Sequence, residues 1–375
     1  MQEMLEGQAL RSLITADGQL RLSLEPITID EPGPGEVVVR VEAAPINPSD
    51  LGLLMGPADG ATLRNEGSGD TLTLVADIPP DRLASVSGRI GQPLALGNEG
   101  AGTVVQTGAD AQHLLGRTVG GAGGGMYATF RKLPAASVIP LPDGARADDG
   151  ASLFVNPRTA LGFVETMRAE GHGALVHSAA ASNLGQMLLR ICLADGIPIV
   201  NIVRSEAQVT LLRGMGATHA IDSSKADYRE RLIDAIADTG AMIGFDAVGG
   251  GRTASQMLEA MEAAASRKLD NAYNRYGSGV MKQVYIYGTL DAGPTIIDRI
   301  GYSWKVDGWL LTNFMQKAGA GTLARMGQRV LDELTTTFAS RYTARISLVD
   351  ALKADVAKAY ERKGTGAKYL IDPSL

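Results

Sequence analysis

The spacing of hydrophobic positions changes near residue 151. Before that point Val37, Val39 and Val41 recur at every second position, which predicts a strand, and Pro45 and Pro48 end it. Further short strands are predicted in GAGTVVQTG, RTVGG and YATFRKL, where glycines and prolines interrupt the pattern. The first part of the chain is therefore expected to be β-rich and irregular.

From residue 151 onward, apolar runs alternate with segments of helical periodicity. ALVHSA precedes a helix predicted over 183–194. The next three apolar runs, each followed by a helical segment, are IPIVNIVR, ATHAID and AMIGFDAVGG, and QVYIYG is the last apolar run of the series. Such alternation predicts a parallel sheet covered by helices on both faces, a doubly wound α/β domain. The tail from Ala344 predicts a strand, a helix and a strand that return to the first domain. The expected domains are 1–153 completed by 314–375, and 154–313.

Composition narrows the possible partners. A chain of 375 residues is expected to form two domains, and its net charge of −6 without any basic run argues against nucleic acid as a partner. The single cysteine, Cys192, lies in a helical pattern and is expected in the core. No apolar run approaches the roughly 18 residues of a membrane span, and no leader pattern opens the sequence, so the expected location is the cytoplasm.

A candidate dinucleotide turn follows the first apolar strand of the second domain. HSAAASNLGQMLLR supplies small residues and Gly185, which would let a pyrophosphate approach the start of a helix, although a plain strand-to-helix turn is an equal reading. Arg204 and Ser205 follow the next strand, 19 residues after Gly185, where an arginine accommodates the 2′-phosphate of NADP. The alternative is a solvated arginine, and Glu206 beside it weakens the prediction.

These segments resemble the zinc-free quinone oxidoreductase and 2-enoyl thioester reductase branches of the medium-chain dehydrogenase/reductase superfamily over nearly the whole chain. The matching motifs, in order, are INPSDLGLLMG, GNEGAG, VNPRTA, FDAVGG, YIYG and DGWLL. The resemblance implies a GroES-like domain joined to a Rossmann domain, and a homodimer in which an edge strand, near QVYIYGTL or YSWKVDGWLL, continues the sheet across a two-fold axis.

The resemblance also bears on metal binding. Zinc-dependent members of the superfamily have a histidine where Asn98 stands and a cysteine near Asn47. An amide is a poor zinc ligand, and the four histidines are scattered, so the sequence predicts no bound metal. Glu99 is then expected to accept hydrogen bonds at its turn.

The resemblance implies NADPH as cofactor and assigns residues to it. Ala181 belongs to the small-residue turn, and Arg204 and Ser205 would bind the 2′-phosphate. The other implied cofactor contacts are Asn156, Ser182, Asn183, Leu184, Tyr287, Gly288, Thr289, Trp309, Leu310, Leu311 and Lys368. Each has a plainer alternative: Trp309 and Leu311 would suit a core, and Lys368 would suit the surface.

The implied chemistry is hydride transfer from NADPH to a quinone or an α,β-unsaturated carbonyl, since without zinc an alcohol lacks a Lewis acid. The chain departs from its relatives at Gly52, Leu54, Pro57 and Ala58, where they carry a tyrosine or arginine. Asn47 and Tyr127 are the remaining candidate catalytic donors, and a structural role is the favoured alternative for each. Compared with the family's usual pattern, the chain has two longer segments, 57–95 and 266–282. Both could line the rim of the substrate cleft. A 2-enoyl thioester reductase and a non-catalytic NADPH-binding protein are the alternative functions.

Overall fold

The computed structural model describes residues 4–267, 274–361 and 368–375. The strands, numbered in chain order, are β1 (Leu5–Ile14), β2 (Gln19–Ile29), β3 (Glu36–Pro45), β4 (Arg64–Glu66), β5 (Thr73–Asp77), β6 (Leu94–Ala95), β7 (Glu99–Thr107), β8 (Thr118–Ala122), β9 (Phe130–Pro134), β10 (Val138–Pro140), β11 (Leu175–His177), β12 (Ile199–Val203), β13 (His219–Asp222), β14 (Ile243–Asp246), β15 (Gly249–Gly251), β16 (Lys282–Ile286), β17 (Asp291–Thr295), β18 (Trp304–Gly308), β19 (Ala344–Ile346) and β20 (Tyr369–Ile371). The helices are α1 (Leu51–Leu54), α2 (Pro80–Leu83), α3 (Ala147–Gly150), α4 (Val155–Ala169), α5 (Asn183–Asp195), α6 (Glu206–Gly214), α7 (Tyr228–Thr239), α8 (Thr253–Ser266), α9 (Leu311–Lys317), α10 (Ala320–Asp332) and α11 (Ala354–Glu361).

The chain divides into two compact units. Unit 1 ends at Val155 and resumes at Val330, and unit 2 runs from Asn156 to Arg329. The sequence predicts the same discontinuous arrangement, with boundaries at 153 and 313. The second boundary of the structure is 16 residues later, because α9 and most of α10 belong to unit 2.

Unit 1 is β-rich, as its pattern predicts, and its strand pairs are antiparallel except for β19 and β20, which pair in parallel. One sheet has the order β4-β5-β2-β1-β6, and the other has the order β10-β8-β7-β3-β20-β19, with β9 also paired to β3. Val37, Val39 and Val41 point into a buried core, which explains their every-second-residue spacing. The tail returns as predicted, because Leu370 and Ile371 pair with the end of β3.

The long connection 57–95 is part of this fold. It supplies β4 and β5, and β5 pairs with β2 between Gln19↔Asp77 and Ser23↔Thr73. Arg89 Nη1 donates to the carbonyl oxygens of Gly52 at 3.1 Å and Gly56 at 3.0 Å, and its Nη2 donates to Ser12 Oγ at 3.1 Å. The connection therefore holds the segment around α1 in place. The second longer segment, 266–282, lies partly outside the described residues.

Unit 2 is the predicted doubly wound domain. Six of its strands form a parallel sheet in the order β13-β12-β11-β14-β16-β18, and β15 and β17 form a separate two-stranded sheet. The predicted helix over 183–194 is α5, which begins at Asn183 and ends at Asp195. Of the two candidate edge strands, QVYIYG forms β16, which pairs with β14 and β18, and so it is an interior strand. The edge belongs to β18, in YSWKVDGWLL.

Candidate functional site

The strands of unit 2 share one carboxyl edge, which is where open α/β sheets bind ligands. β11 ends at His177, β12 at Val203, β14 at Asp246 and β16 at Ile286. The residues predicted for the dinucleotide in HSAAASN, Arg204–Ser205 and Tyr287–Thr289 directly follow these strand ends. The topology thus brings three segments that are distant in sequence to a single edge.

The turn after β11 has the shape that a phosphate-binding turn needs. Ala180 N–H donates to the Ile202 carbonyl at 3.1 Å, and Ser182 Oγ caps α5 by accepting from Gly185 N–H at 3.1 Å. A Cβ at Gly185 would lie 2.2 Å from the Ala180 carbonyl oxygen, so only glycine permits this close approach. The 13-residue helix α5 therefore presents its N-terminus, with Asn183 and Leu184 in its first turn and Ala181 just before it, at the carboxyl edge.

Arg204 and Ser205 connect β12 to α6. Arg204 is exposed, and its N–H donates to Gln208 Oε1 at 2.9 Å. Ser205 Oγ accepts from Gln208 N–H at 3.4 Å, which caps α6 and leaves the hydroxyl hydrogen able to donate. A guanidinium and a hydroxyl next to one another at this position are donors suited to a phosphate.

The loops after β14 and β16 are held tightly together. Asp246 Oδ1 accepts from Ser178 Oγ at 2.6 Å and from Val248 N–H at 2.9 Å. A Cβ at Gly288 would lie 2.5 Å from the Ala247 carbonyl oxygen, so this loop also requires glycine. The positioning role of Ser178 and Asp246 was not predicted. The available signal was their placement, because Ser178 directly follows the apolar strand β11 and Asp246 ends the apolar strand β14.

Tyr287 and Trp309 belong to an aromatic cluster in unit 2. The Tyr287 hydroxyl lies 2.8 Å from His177 Nε2, and burial lowers the pKa of His177 to about 3, so this imidazole is neutral. Trp309 packs edge-on against Phe163 with centroids 4.7 Å apart, and its Nε1 donates to Thr166 Oγ1 at 3.0 Å. Trp309 therefore has the surroundings of a core residue, which was its alternative assignment.

The other assigned residues of unit 2 differ in exposure. Asn156 is buried and Leu311 is half-buried, whereas Leu310 is 58% exposed and Thr289 is exposed. Leu310 and Thr289 are thus accessible to a ligand on the surface of this unit.

Glu99 organises a buried polar cluster in unit 1. Its Oε1 accepts from Asn47 Nδ2 at 2.8 Å, and its Oε2 accepts from the N–H groups of Phe154 at 2.8 Å and Val155 at 2.9 Å. The predicted structural role of Glu99 is confirmed by these bonds. Asn47 is 1% exposed, and its amide is directed at Glu99.

Asp50 and Tyr127 lie beside this cluster. Asp50 accepts from Asn47 N–H through Oδ2 and from Asn98 N–H through Oδ1, both at 2.9 Å, and burial raises its pKa to about 7. The Tyr127 hydroxyl is fully buried and donates to the Pro45 carbonyl at 2.9 Å, and burial raises its pKa well above the ordinary value. Tyr127 thus already shares its proton with a protein acceptor.

Lys368 is buried in unit 1, so its alternative assignment as a surface charge does not hold. Its Nζ donates to Ser152 Oγ at 2.7 Å, and the Ser152 hydroxyl lies 3.0 Å from the Tyr342 hydroxyl. Burial lowers the pKa of Lys368 to about 8, while the carboxylates of Glu99 and Asp50 act in the opposite direction. The lysine accordingly supplies positive charge to a cluster with two buried acids.

The metal-ligand positions of zinc-dependent relatives hold amides here. Asn98 Nδ2 donates to Ser49 Oγ at 3.1 Å. Within 4–267, 274–361 and 368–375, no group of three His, Cys, Asp or Glu side chains could hold a metal ion. In the same ranges no helix has the length and apolar character needed to cross a membrane.

Comparison with known proteins gives two family matches. Residues 33–143 match the alcohol dehydrogenase GroES-like domain, and residues 184–266 match the zinc-binding dehydrogenase family. Among relatives, the mitochondrial enoyl-[acyl-carrier-protein] reductase of Xenopus tropicalis is 29% identical over 53% of this chain and 51% of its own length. The synaptic vesicle membrane protein VAT-1 homolog of Rattus norvegicus is 30% identical over 63% of this chain and 52% of its own. The chain thus spans about half the length of these relatives.

Solved structures extend the similarity to the whole chain. A candidate NADPH:quinone reductase from Mesorhizobium loti is 26% identical, with a TM-score of 0.73 and 100% coverage of both chains. A mutant enoyl thioester reductase from Candida tropicalis has a TM-score of 0.67 at 18% identity, covering 98% of this chain and 100% of that one. The second similarity concerns the fold alone.

Proposed function

The chain belongs to the zinc-free branch of the medium-chain dehydrogenase/reductase superfamily, and on that basis we propose that it is an NADPH-dependent reductase of quinones or α,β-unsaturated carbonyls. The observation that carries the proposal is the carboxyl edge of unit 2, where the N-terminus of α5 and the Arg204–Ser205 pair follow neighbouring strands. The similarity to a candidate NADPH:quinone reductase supports the same cofactor and substrate class.

The residues of this edge fit the cofactor. Gly185 and Gly288 stand where a Cβ would meet backbone oxygen at 2.2 Å and 2.5 Å, so glycine lets the backbone of both turns pack closely at this edge. The start of α5, with Ala181, Ser182, Asn183 and Leu184, would hold the pyrophosphate. Arg204 and Ser205 would hold the 2′-phosphate. The contacts proposed for Asn156, Tyr287–Thr289, Trp309–Leu311 and Lys368 rest on the family resemblance.

NADPH, when bound, supplies the hydride. The protein would exclude water and orient the cofactor, while the proton can come from solvent when the product is a stabilised enolate or phenolate. Gly52, Leu54, Pro57 and Ala58 carry no ionisable group, and Tyr127 donates to Pro45. Quinones and strongly polarised enones are therefore the substrates that this chain serves best.

A 2-enoyl thioester reductase is the second candidate. The similarity to the enoyl-[acyl-carrier-protein] reductase of Xenopus tropicalis favours it. The absence of a tyrosine in residues 52–58 opposes it, because protonating a thioester enolate at carbon gains from a positioned acid. A non-catalytic NADPH-binding protein is the third candidate and would bind the cofactor without turnover.

A substrate panel separates these candidates. NADPH oxidation is followed with quinones, enones and crotonyl thioesters, and cofactor binding is measured separately by NADPH fluorescence. We expect quinones and enones to react fastest, with no change when a chelator is added. Preference for the thioester would favour the second candidate, and binding without turnover the third. No binding of NADPH would refute all three.

A further inference from the structure

Arg131 is a charged residue on the core side of a sheet in unit 1. It lies in β9 opposite Val39 of β3, two residues before Leu133. Val39 and Leu133 are both buried in the core of the unit. Because facing residues of an antiparallel pair project to the same side of the sheet, Arg131 projects to that side as well, where it is half-buried. A guanidinium in such surroundings needs acceptors for its donors.

One nitrogen of this guanidinium has an acceptor and two do not. Arg131 Nε donates to the Gly124 carbonyl oxygen at 2.9 Å, which fixes the plane of the group. Among the residues that the structure describes, no oxygen accepts a hydrogen bond from Nη1 or Nη2. These two nitrogens form a fork of the kind that binds a carboxylate or a phosphate through two parallel hydrogen bonds.

The loop beside Arg131 offers space and a further donor. A Cβ at Gly125 would lie 3.1 Å from Arg131 Nε and 3.3 Å from its Cζ, so the guanidinium lies against bare backbone. Within the described ranges, the Gly125 N–H donates to no acceptor. A backbone N–H next to a guanidinium is a donor set suited to an anion.

A second arginine lies close to the same loop. Arg11 of β1 faces Ala95 of β6, and the Ala95 Cβ would be 3.5 Å from a Cβ at Gly125. Burial, and after it the positive charge of Arg11, lowers the pKa of Arg131. Arg11 has an acidic neighbour of its own, since its Nε lies 3.8 Å from Glu25 Oε2. The charged neighbour that acts on Arg131 is thus another cation.

We propose that Arg131, Arg11 and the N–H of Gly125 form a site in unit 1 that binds an oxyanion, either a carboxylate or a phosphate. The anion accepts two hydrogen bonds from the Arg131 fork and one from Gly125, and its charge offsets the repulsion between the two arginines. Two sources have this chemistry: an acidic group on the substrate of the proposed reductase, and a small anion from solution.

Chemical modification of the native protein tests the site. Phenylglyoxal reacts with accessible guanidinium nitrogens, and mass spectrometry of the peptides gives a rate for each arginine. Phosphate or acetate, added at constant ionic strength, should slow the modification of Arg131 by about tenfold or more at saturation. Arg117 is the matched control within the same sample, because it is exposed and already has Asp143 at 3.5 Å from its Nη2. Its rate should change by less than about twofold.

A second measurement separates the two sources and rests on the proposed function. The values of kcat/KM for NADPH oxidation are compared for an enone that carries a carboxylate and for its methyl ester. If the substrate supplies the anion, the acid should be preferred by about tenfold or more. Arg131→Gln should then lose that preference, while Arg117→Gln keeps it. Equal use of acid and ester, with Arg131 still protected by phosphate, would identify an anion from solution as the ligand.

The two measurements fail independently. If neither phosphate, acetate nor the acidic enone slows the modification of Arg131, the proposal is overturned, whether or not the protein turns over a substrate. Protection of Arg131 in a protein that oxidises no NADPH would support the anion site and count against the proposed function alone.

Discussion

Replacing Glu99 by glutamine should destabilise unit 1, because the carboxylate serves three donors with two acceptor oxygens. Asn47 Nδ2 uses one oxygen, and the N–H groups of Phe154 and Val155 share the other. A glutamine amide offers one acceptor and one NH₂ group, so with Asn47 in its native orientation a donor faces a donor at one of these contacts. The substitution keeps the shape and removes the acceptor.

The expected loss follows from the burial of the site. Glu99 is fully buried, and one unsatisfied buried donor costs about 1–3 kcal/mol. Glu99→Gln should therefore lower the free energy of unfolding by about 2 kcal/mol. Glu99→Ala removes the carboxylate acceptor of all three bonds and should cost about 4 kcal/mol or more, which is at the upper end for a single substitution.

The assay must report on unit 1. Both tryptophans, Trp304 and Trp309, lie in unit 2, so their fluorescence follows the other unit. Hydrogen exchange of the Phe154 and Val155 amides, with urea unfolding followed by circular dichroism, measures the relevant loss. Glu31→Gln removes the same charge from an exposed position and is the control. If Glu99→Gln behaves like this control, within about 0.5 kcal/mol, the three-donor account is wrong.

Three further predictions concern single side chains. Arg204→Ala should raise the dissociation constant for NADPH by about tenfold or more, because a charge-assisted contact is worth about 1.5–3 kcal/mol. The dissociation constant for NADH should stay unchanged. Equal weakening of both cofactors would refute the 2′-phosphate assignment. Burial raises the pKa of Asp50 to about 7, so the native state holds a proton that the unfolded chain releases near pH 4. In urea titrations, the stability of the native protein relative to Asp50→Asn should therefore fall by about 4 kcal/mol as pH rises from 4 to 8. A constant difference between the two proteins would contradict this shift. Tyr127→Phe should cost about 1 kcal/mol of stability because the Pro45 carbonyl loses its donor. The hydride-transfer rate with a quinone, measured by stopped flow, should stay within about tenfold of the native rate. A rate loss of about 10²–10⁴-fold would identify Tyr127 as the proton donor.

The sequence predicts local elements well because their signals are local. The run 183–194 has apolar residues at helical spacing and small residues before it, and the structure has a helix from Asn183 to Asp195. Strand order is a different matter, since it depends on contacts between distant segments. QVYIYG has the apolar character of any buried strand, and nothing in those residues states that β18 lies beyond it.

The site shows the same division between local and distant information. The turn before α5 and the Arg204–Ser205 pair follow strands, so their shared edge could be anticipated from the alternation. The burial of Lys368 could not, because its partner Ser152 lies 216 residues away in sequence. Asp50 was missed for the same reason: its neighbour Asn98 is distant, and an aspartate after proline and serine is typical of an exposed turn.

The connection 57–95 limits how this chain can be re-engineered. β5 lies between β4 and β2 in its sheet, Leu74 and Val75 are buried, and Arg89 binds the backbone around α1. Deleting the connection to match shorter relatives would strip a strand from β2 and free the Gly52 and Gly56 carbonyls. The connection 57–95 therefore cannot be deleted without loss of these contacts. If it were transferred into a shorter relative, the surface of β2 and the Ser12 hydroxyl would have to be transferred with it.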